Sequence, residues 1–234
     1  MAMAPEFGAR EPEITRASVV LPAPLAPRTA TACPDSTARS TLARVISGSL
    51  APTSGVVAID GRPVAGLGAH RVAELGVAHC MEGRRVFPTL SVEENLCIAV
   101  RGAVGATMRE RLSAVYDLFP VLAERKDSPG TSMSGGQQQM LAIARALMAR
   151  PRLVIFDEIS LGLAPVVMDK LYEALTLLKQ AGMTLIVIEQ DVDRALALVD
   201  YAYVLEHGVV ALAGDPKTVA ADPRLRHIYV GAAD

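Results

Sequence analysis

Cysteine is scarce: of 234 residues only Cys33, Cys80 and Cys97 are cysteines, far apart and without a CxxC pair. That excludes a disulfide scaffold and a zinc ribbon, and it suits a reducing compartment. Long apolar runs are missing too, since the greasiest stretches, such as Met183–Ile188, have strand length and end at charges like Glu189. No segment therefore reads as a membrane span. Positive charge is not in excess, because 23 Lys and Arg face 25 Asp and Glu for a net charge of −2. A strongly basic nucleic-acid binder is thereby disfavoured. The first part of the chain has its own gaps. No glycine lies between Gly8 and Gly48, Phe7 is the only aromatic before Phe87, and the first lysine is Lys126.

What is present suits one globular domain, with 51% hydrophobic and 21% charged residues supplying a core and excluding disorder of the whole chain. Residues 1–39 read differently from the rest. Six of the fifteen prolines lie there, and proline removes the ladder donors a central strand needs. A signal peptide is the weaker reading of this stretch, because prolines break the apolar run Ala17–Pro27 and Arg28 follows it. From Ser40 onward the pattern is regular. Helices are expected over Thr41–Leu50, Ala69–Leu75, Val92–Val100, Met108–Phe119, Gln137–Ala149, Val166–Gln180 and Val192–Val199, with a further helix at the end. Strands are expected over Val56–Ile59, turning at Asp60-Gly61, over Val77–Cys80, and as buried runs at Leu153–Phe156 and Thr184–Ile188. Two more short strands flank His207-Gly208. Apolar strands separated by helices indicate a parallel sheet covered on both faces, an α/β fold.

Two segments carry chemistry. Met133-Ser134-Gly135-Gly136-Gln137 precedes a helix. Adjacent glycines let backbone N–H groups come close to a phosphate, and the positive end of the helix dipole faces that anion. Ser134 suits an N-cap and a phosphate donor alike. A Ser-Gly-Gly loop capping an ordinary helix remains the plain alternative. The second segment is the strand Leu153–Phe156 followed by Asp157 and Glu158. Asp157 can hold the water shell of Mg²⁺, and Glu158 can orient or deprotonate an attacking water. Carboxylates that only cap the next helix are the plain alternative here.

Taken together, these segments resemble a family. Met133–Gln137 is similar to the LSGGQ signature of ATP-binding cassette (ABC) ATPases, and Leu153–Glu158 resembles their Walker B strand. The likeness covers about residues 40–230. Glu82-Gly83-Arg84-Arg85-Val86-Phe87, running on to Leu96, resembles the loop and helical segment of an ATPase subunit of branched-chain amino-acid importers. Ser160–Pro165 resembles that subunit's D-loop, and Ile188-Glu189-Gln190-Asp191 its switch region. Glu82 stands where most cassettes have Gln, and Gln190 where most have His. Both are characteristic of that importer subunit.

The resemblance implies a P-loop NTPase-like fold with a parallel sheet flanked by helices and an α-helical subdomain inserted at residues 90–135. The domain itself would span 40–234. Its implied cofactors are ATP and Mg²⁺. Ser134, Gly135, Gly136, Gln137, Glu82, Arg39, Ser40 and Thr41 are its implied nucleotide contacts, Asp157 and Ser40 its metal contacts, and Glu158 and Gln190 its catalytic pair. It also implies partners: a sister cassette, as homodimer or heterodimer, two membrane permease subunits and an extracytoplasmic substrate-binding protein. The implied location is peripheral, on the cytoplasmic face of the bacterial inner membrane.

One part of the family pattern is absent. The GxxxxGK[ST] cradle wraps phosphates in backbone amides around a lysine. Aligning Ser40-Thr41 with its end puts Cys33, Ser36 and Ala38 where glycines belong and Arg39 where the lysine belongs. The two strands that the family places before the cradle find no counterpart in 1–39. Arginine keeps the charge, but its planar fork does not replace a compact ammonium. A shifted reading frame or start upstream of Ser40 would account for this, as would divergence into a non-hydrolysing structural or regulatory subunit. The isolated chain is expected to bind ATP weakly or not at all. Titration with a fluorescent ATP analogue in Mg²⁺ checks this, and ordinary cassette affinity would refute it.

Overall fold

Two apolar runs that do not alternate, Val77–Cys80 and Leu153–Asp157, lie side by side as parallel strands, from Val77↔Leu153 to Cys80↔Phe156. The computed structural model in which they do so describes residues 35–100 and 106–230. In chain order the elements are α1 (Asp35–Ile46), β1 (Ala58–Ile59), β2 (Arg62–Pro63), α2 (Ala69–Glu74), β3 (Val77–Cys80) and α3 (Val92–Cys97). Then come α4 (Ala106–Leu118), α5 (Pro120–Glu124), a 3-10 turn (Gly130–Ser132), α6 (Gly135–Met148), β4 (Leu153–Asp157) and α7 (Pro165–Gln180). The chain ends with β5 (Thr184–Ile188), α8 (Val192–Leu198), β6 (Ala202–Glu206), β7 (Val209–Gly214), α9 (Pro216–Ala221) and α10 (Pro223–Val230). Two compact units emerge. Among the described residues one is 73–187, and the other is 35–72 with 188–230.

The first unit is built on the sheet β3-β4-β5. Gly76, at φ +86°, turns the chain into β3, and its carbonyl accepts from the amides of Arg152 and Leu153 at 2.7 and 3.1 Å. That pair of bonds sets where β3 and β4 begin together. All five residues of β4 are buried. Helix α6 packs on β3 and α3, with Leu141, Ile143, Ala144, Leu147 and Met148 inside. Its far end is closed by Arg111, whose Nη1 donates to the Met148 carbonyl at 2.6 Å. Helices α4 and α5 also pack on α6. Helices α3, α4 and α5 fall within the 90–135 span expected for a helical subdomain.

Asn95 organises the loop after β3. Its side chain is fully buried. Oδ1 accepts from the Phe87 amide at 2.8 Å, and Nδ2 donates to the carbonyls of Phe87, Leu90 and Ser91. Helix α3 starts with a capping box in which Ser91 Oγ accepts from the Glu94 amide and Glu94 Oε2 from the Ser91 amide.

In the second unit, Asp60 (φ +50°) and Gly61 (φ +72°) form the two-residue turn between β1 and β2. His207 (φ +49°) and Gly208 (φ +77°) do the same between β6 and β7. Val204, Leu212 and Val219 are the buried centre of a cluster that Leu196, Leu225 and Ile228 complete.

The structure departs from the sequence expectations at several points. Helix α1 begins at Asp35, six residues before the expected start, and residues 1–34 lie outside the described ones. β5 is a strand as expected, yet only Ile188 is buried, because within the described sheet β5 stands at an edge. The expected C-terminal helix is two. Asp222 stops the first by accepting from the Arg224 amide at 2.9 Å, and Pro223 opens the second.

Asn95→Ala leaves buried groups of the 87–91 turn without partners, and is expected to lower stability by about 1–3 kcal/mol. Urea unfolding measures this.

Candidate functional site: the head of α6 and the end of β4

At the head of α6, Ser134 has extended backbone (φ −62°, ψ 160°) and forms a second capping box. Its Oγ accepts from the Gln137 amide at 3.3 Å, while Gln137 Oε1 accepts from the Ser134 amide at 3.0 Å. The amides of Gly135 and Gly136 belong to the first turn, where a helix has no carbonyl of its own to offer. Ser134 is exposed. An exposed hydroxyl beside the first-turn amides at the positive end of a helix is chemically suited to an anion.

The two glycines are needed for different reasons. A Cβ on Gly136 would stand 2.5 Å from Val167 Cγ1, so this glycine lets α6 lie against α7. A Cβ on Gly135 would stand 2.8 Å from Arg84 Nη1, so the Arg84 guanidinium occupies that space. Sequence reasoning gave both to anion approach and had no signal for the packing of Val167.

At the carboxyl end of β4, Asp157 and Glu158 are buried, at 3% and 6% exposure. Glu158 adopts φ +49°, the left-handed region that costs a non-glycine residue conformational energy. Its Oε1 is buried with no hydrogen-bond partner among the described residues. A buried carboxylate oxygen with no donor suits a site that acquires a water or a cation. His79 has Nε2 3.8 Å from Asp157 Oδ2. The cause is strand register: His79 pairs with Ile155, two residues before Asp157 and on the same face.

The remaining candidates lie elsewhere. Glu82 is exposed, two residues beyond β3. Ser40 and Thr41 are half-buried in the second turn of α1, in the second unit, and the backbone of Arg39 is helical with them. Residues 35–39 thus run as helix where a phosphate cradle needs an open loop. Gln190 is exposed in the second unit, just before Asp191, which caps α8 by accepting from the Arg194 amide at 3.1 Å.

A groove of about 410 Å³ opens along β3 and α6, with Met81, Arg84, Arg85, Phe87, Ile98 and Arg145 among its lining residues. Phe87 and Ile98 are exposed. Burial pushes the Cys80 thiol in its wall up to about 12, with Arg145 opposing the shift and Asp157 adding to it.

Known proteins resemble this chain in sequence and fold. The ABC transporter family matches residues 38–160, more than half of the chain. The high-affinity branched-chain amino acid transport ATP-binding protein BraG of Pseudomonas aeruginosa is 38% identical over 193 residues, covering 82% of this chain and 83% of that protein. The chain belongs to the ABC transporter family. A probable branched-chain amino acid transport ATP-binding protein, LivF of Archaeoglobus fulgidus, is 31% identical, with 88% of each chain covered. A crystal structure of an ATP-binding cassette of an ABC transporter in its ADP conformation superposes with a TM-score of 0.71 at 25% identity, covering 82% of this chain and 83% of that one. In this ABC protein the fold is the expected one, α/β with a parallel sheet flanked by helices. Among the described residues no helix is long and apolar enough to cross a membrane.

Gly136→Ala in this cassette protein is expected to cost about 1–3 kcal/mol by overpacking, with Val167→Ala restoring part of the loss. Chemical denaturation of the two single variants and the double variant checks this.

Proposed function

We propose that this chain is the ATP-binding subunit of an importer for branched-chain amino acids, and that it acts on the nucleotide held by a second cassette. The observation that carries the reading is the contrast between two helix starts. Ser134, exposed, caps the first turn of α6, whose amides suit an anion. Residues 35–39, in the register of a phosphate cradle, are helical. One wall does not enclose a triphosphate, so the other comes from a partner. In this reading Ser134, Gly135, Gly136 and Gln137 close over ATP bound by a sister cassette, which is a second copy or a related chain. The cargo follows BraG and LivF, whose names state branched-chain amino acid transport.

Bound together with a triphosphate, Mg²⁺ would supply neutralisation of the phosphate charge. Among the described residues no cluster of three or more His, Cys, Asp and Glu is placed to hold a metal, and Mg²⁺ characteristically combines one or two carboxylates with phosphate oxygens. Asp157 is the residue that would hold it, and Glu158, with its unpartnered Oε1, the one that would orient water. Without a cradle in residues 35–39, these carboxylates await a nucleotide that this chain does not grip, so the load of hydrolysis falls on the partner's site.

The groove beside α6 supports attachment to a membrane. It is rimmed by exposed Phe87 and Ile98 and by arginines, which suits a permease segment with an apolar face and a carboxylate. Two permease subunits, an extracytoplasmic binding protein and a place on the cytoplasmic face of the inner membrane complete the reading.

Ser134→Ala in the assembled complex is expected to lower ATP hydrolysis by about tenfold or more, the scale of losing one donor to a phosphate oxygen. Glu158→Gln is expected to leave it within about twofold. ATPase assays of the reconstituted complex decide. The reverse order of effects would show that this chain hydrolyses its own nucleotide and would overturn the division of labour. No change with either variant would favour a purely structural subunit.

A further inference from the structure

We infer that residues Ile14–Leu21 of this chain pair as a strand along the free edge of β5, which makes β5 an interior strand of its sheet. The inference goes beyond the transport reading and does not rest on it.

β5 stands at an edge but has the composition of a central strand. Its residues, Thr184-Leu185-Ile186-Val187-Ile188, show no alternation of apolar with polar and include no charge, proline or glycine. Strands that read this way are buried on both faces inside parallel sheets. β4 shows that state: it has β3 on one side and β5 on the other, and all five of its residues are buried. In β5 only Ile188 is buried, and the residues before it are half-buried. Among the described residues β5 has one neighbouring strand. The backbone groups of its other side are a template for a further strand, and the charge or proline that commonly protects such an edge is missing from it.

The occupant follows from what the chain has to offer. Outside the described residues lie 1–34, 101–105 and 231–234. Only the first is long enough, and its prolines leave one stretch of strand length. Between Pro12 and Pro22 the chain runs Glu13-Ile14-Thr15-Arg16-Ala17-Ser18-Val19-Val20-Leu21, without proline or glycine. Ile14, Thr15, Val19 and Val20 are β-branched, the side chains that strands favour. In a strand Thr15, Ala17, Val19 and Leu21 share one face, and Arg16 and Ser18 fall on the other. Flanking prolines exclude a central strand here but suit an edge strand. The new edge carries Arg16 between two prolines, which is the protection that β5 lacks.

A second copy of the chain offers the same segment, and the tether decides against it. Residues 22–34 join Leu21 to α1. A linker of this kind presents the segment to its own chain at an effective concentration of about a millimolar, well above that of another copy in dilute solution.

The test uses the full chain with Cys33, Cys80 and Cys97 replaced by serine, Ile186→Cys, and one further cysteine placed at each position from 16 to 20 in turn. Opposed residues of neighbouring strands have Cβ atoms about 5 Å apart, close enough for a disulfide after a small adjustment. Under mild oxidation one position is expected to close within the chain about fivefold faster than its immediate neighbours, because a fixed register opposes one residue to Ile186. Equal rates at all positions, or no bond at any, overturn the proposal. Bonds between chains, with a dimer that grows with concentration on size exclusion, show a second copy on the edge and overturn it too. Hydrogen exchange decides if the cysteine variants fail to fold. In the unaltered chain alternate amides of 15–20 exchange about tenfold or more slower than in an unstructured peptide of the same sequence, and Ser18→Pro or Val19→Pro speeds exchange in 184–188. Free exchange throughout 15–20 overturns the proposal.

Discussion

Burial of one face of α6 is the constraint on which the rest of the first unit depends. Leu141, Ile143, Leu147 and Met148 are removed from water along it, each supplying roughly 1.5–3 kcal/mol. That burial places the helix against β3, and everything of chemical interest is then reached from it: the capped head with Ser134, the glycine that admits Val167, and the groove that Arg145 helps to line. Capping boxes and ion pairs elsewhere refine the geometry. None contributes on the scale of this packed face.

Much of this was legible in the sequence, and the exceptions have physical causes. Val77–Cys80 and Thr184–Ile188 have the bounds their apolar runs suggest, because Gly76 and Gly182 punctuate their starts. The burial of β5 was not legible, since a run of five apolar residues looks the same at the centre of a sheet and at its edge. The start of α1 was misjudged because residues 1–39 were set apart as one proline-rich stretch, although Asp and Ser also open helices. Strand register between segments far apart in sequence brings His79 to Asp157. No spacing rule within one segment could have shown it.

The site was legible in its parts and less so in its reasons. Ser134 caps α6 as the pattern suggested, Gln137 returns the bond, and Asp157 and Glu158 end a buried strand. The two glycines looked like one feature and are two, because Gly136 answers to α7 while Gly135 answers to Arg84. The absent cradle was visible from composition alone. What the coordinates add is that α1 already runs as helix from Asp35, where the cradle's open loop would lie.

Cys80 offers a reporter that follows from its position. Its thiol faces the groove wall, is 4% exposed, and is held protonated far above neutrality, so an alkylating reagent meets neither the room nor the thiolate it needs. Cys97, the other cysteine among the described residues, is only half-buried and reacts first. Once Cys33 and Cys97 are replaced by serine, the pace at which maleimide consumes Cys80 becomes a clock for how often β3 and α6 part.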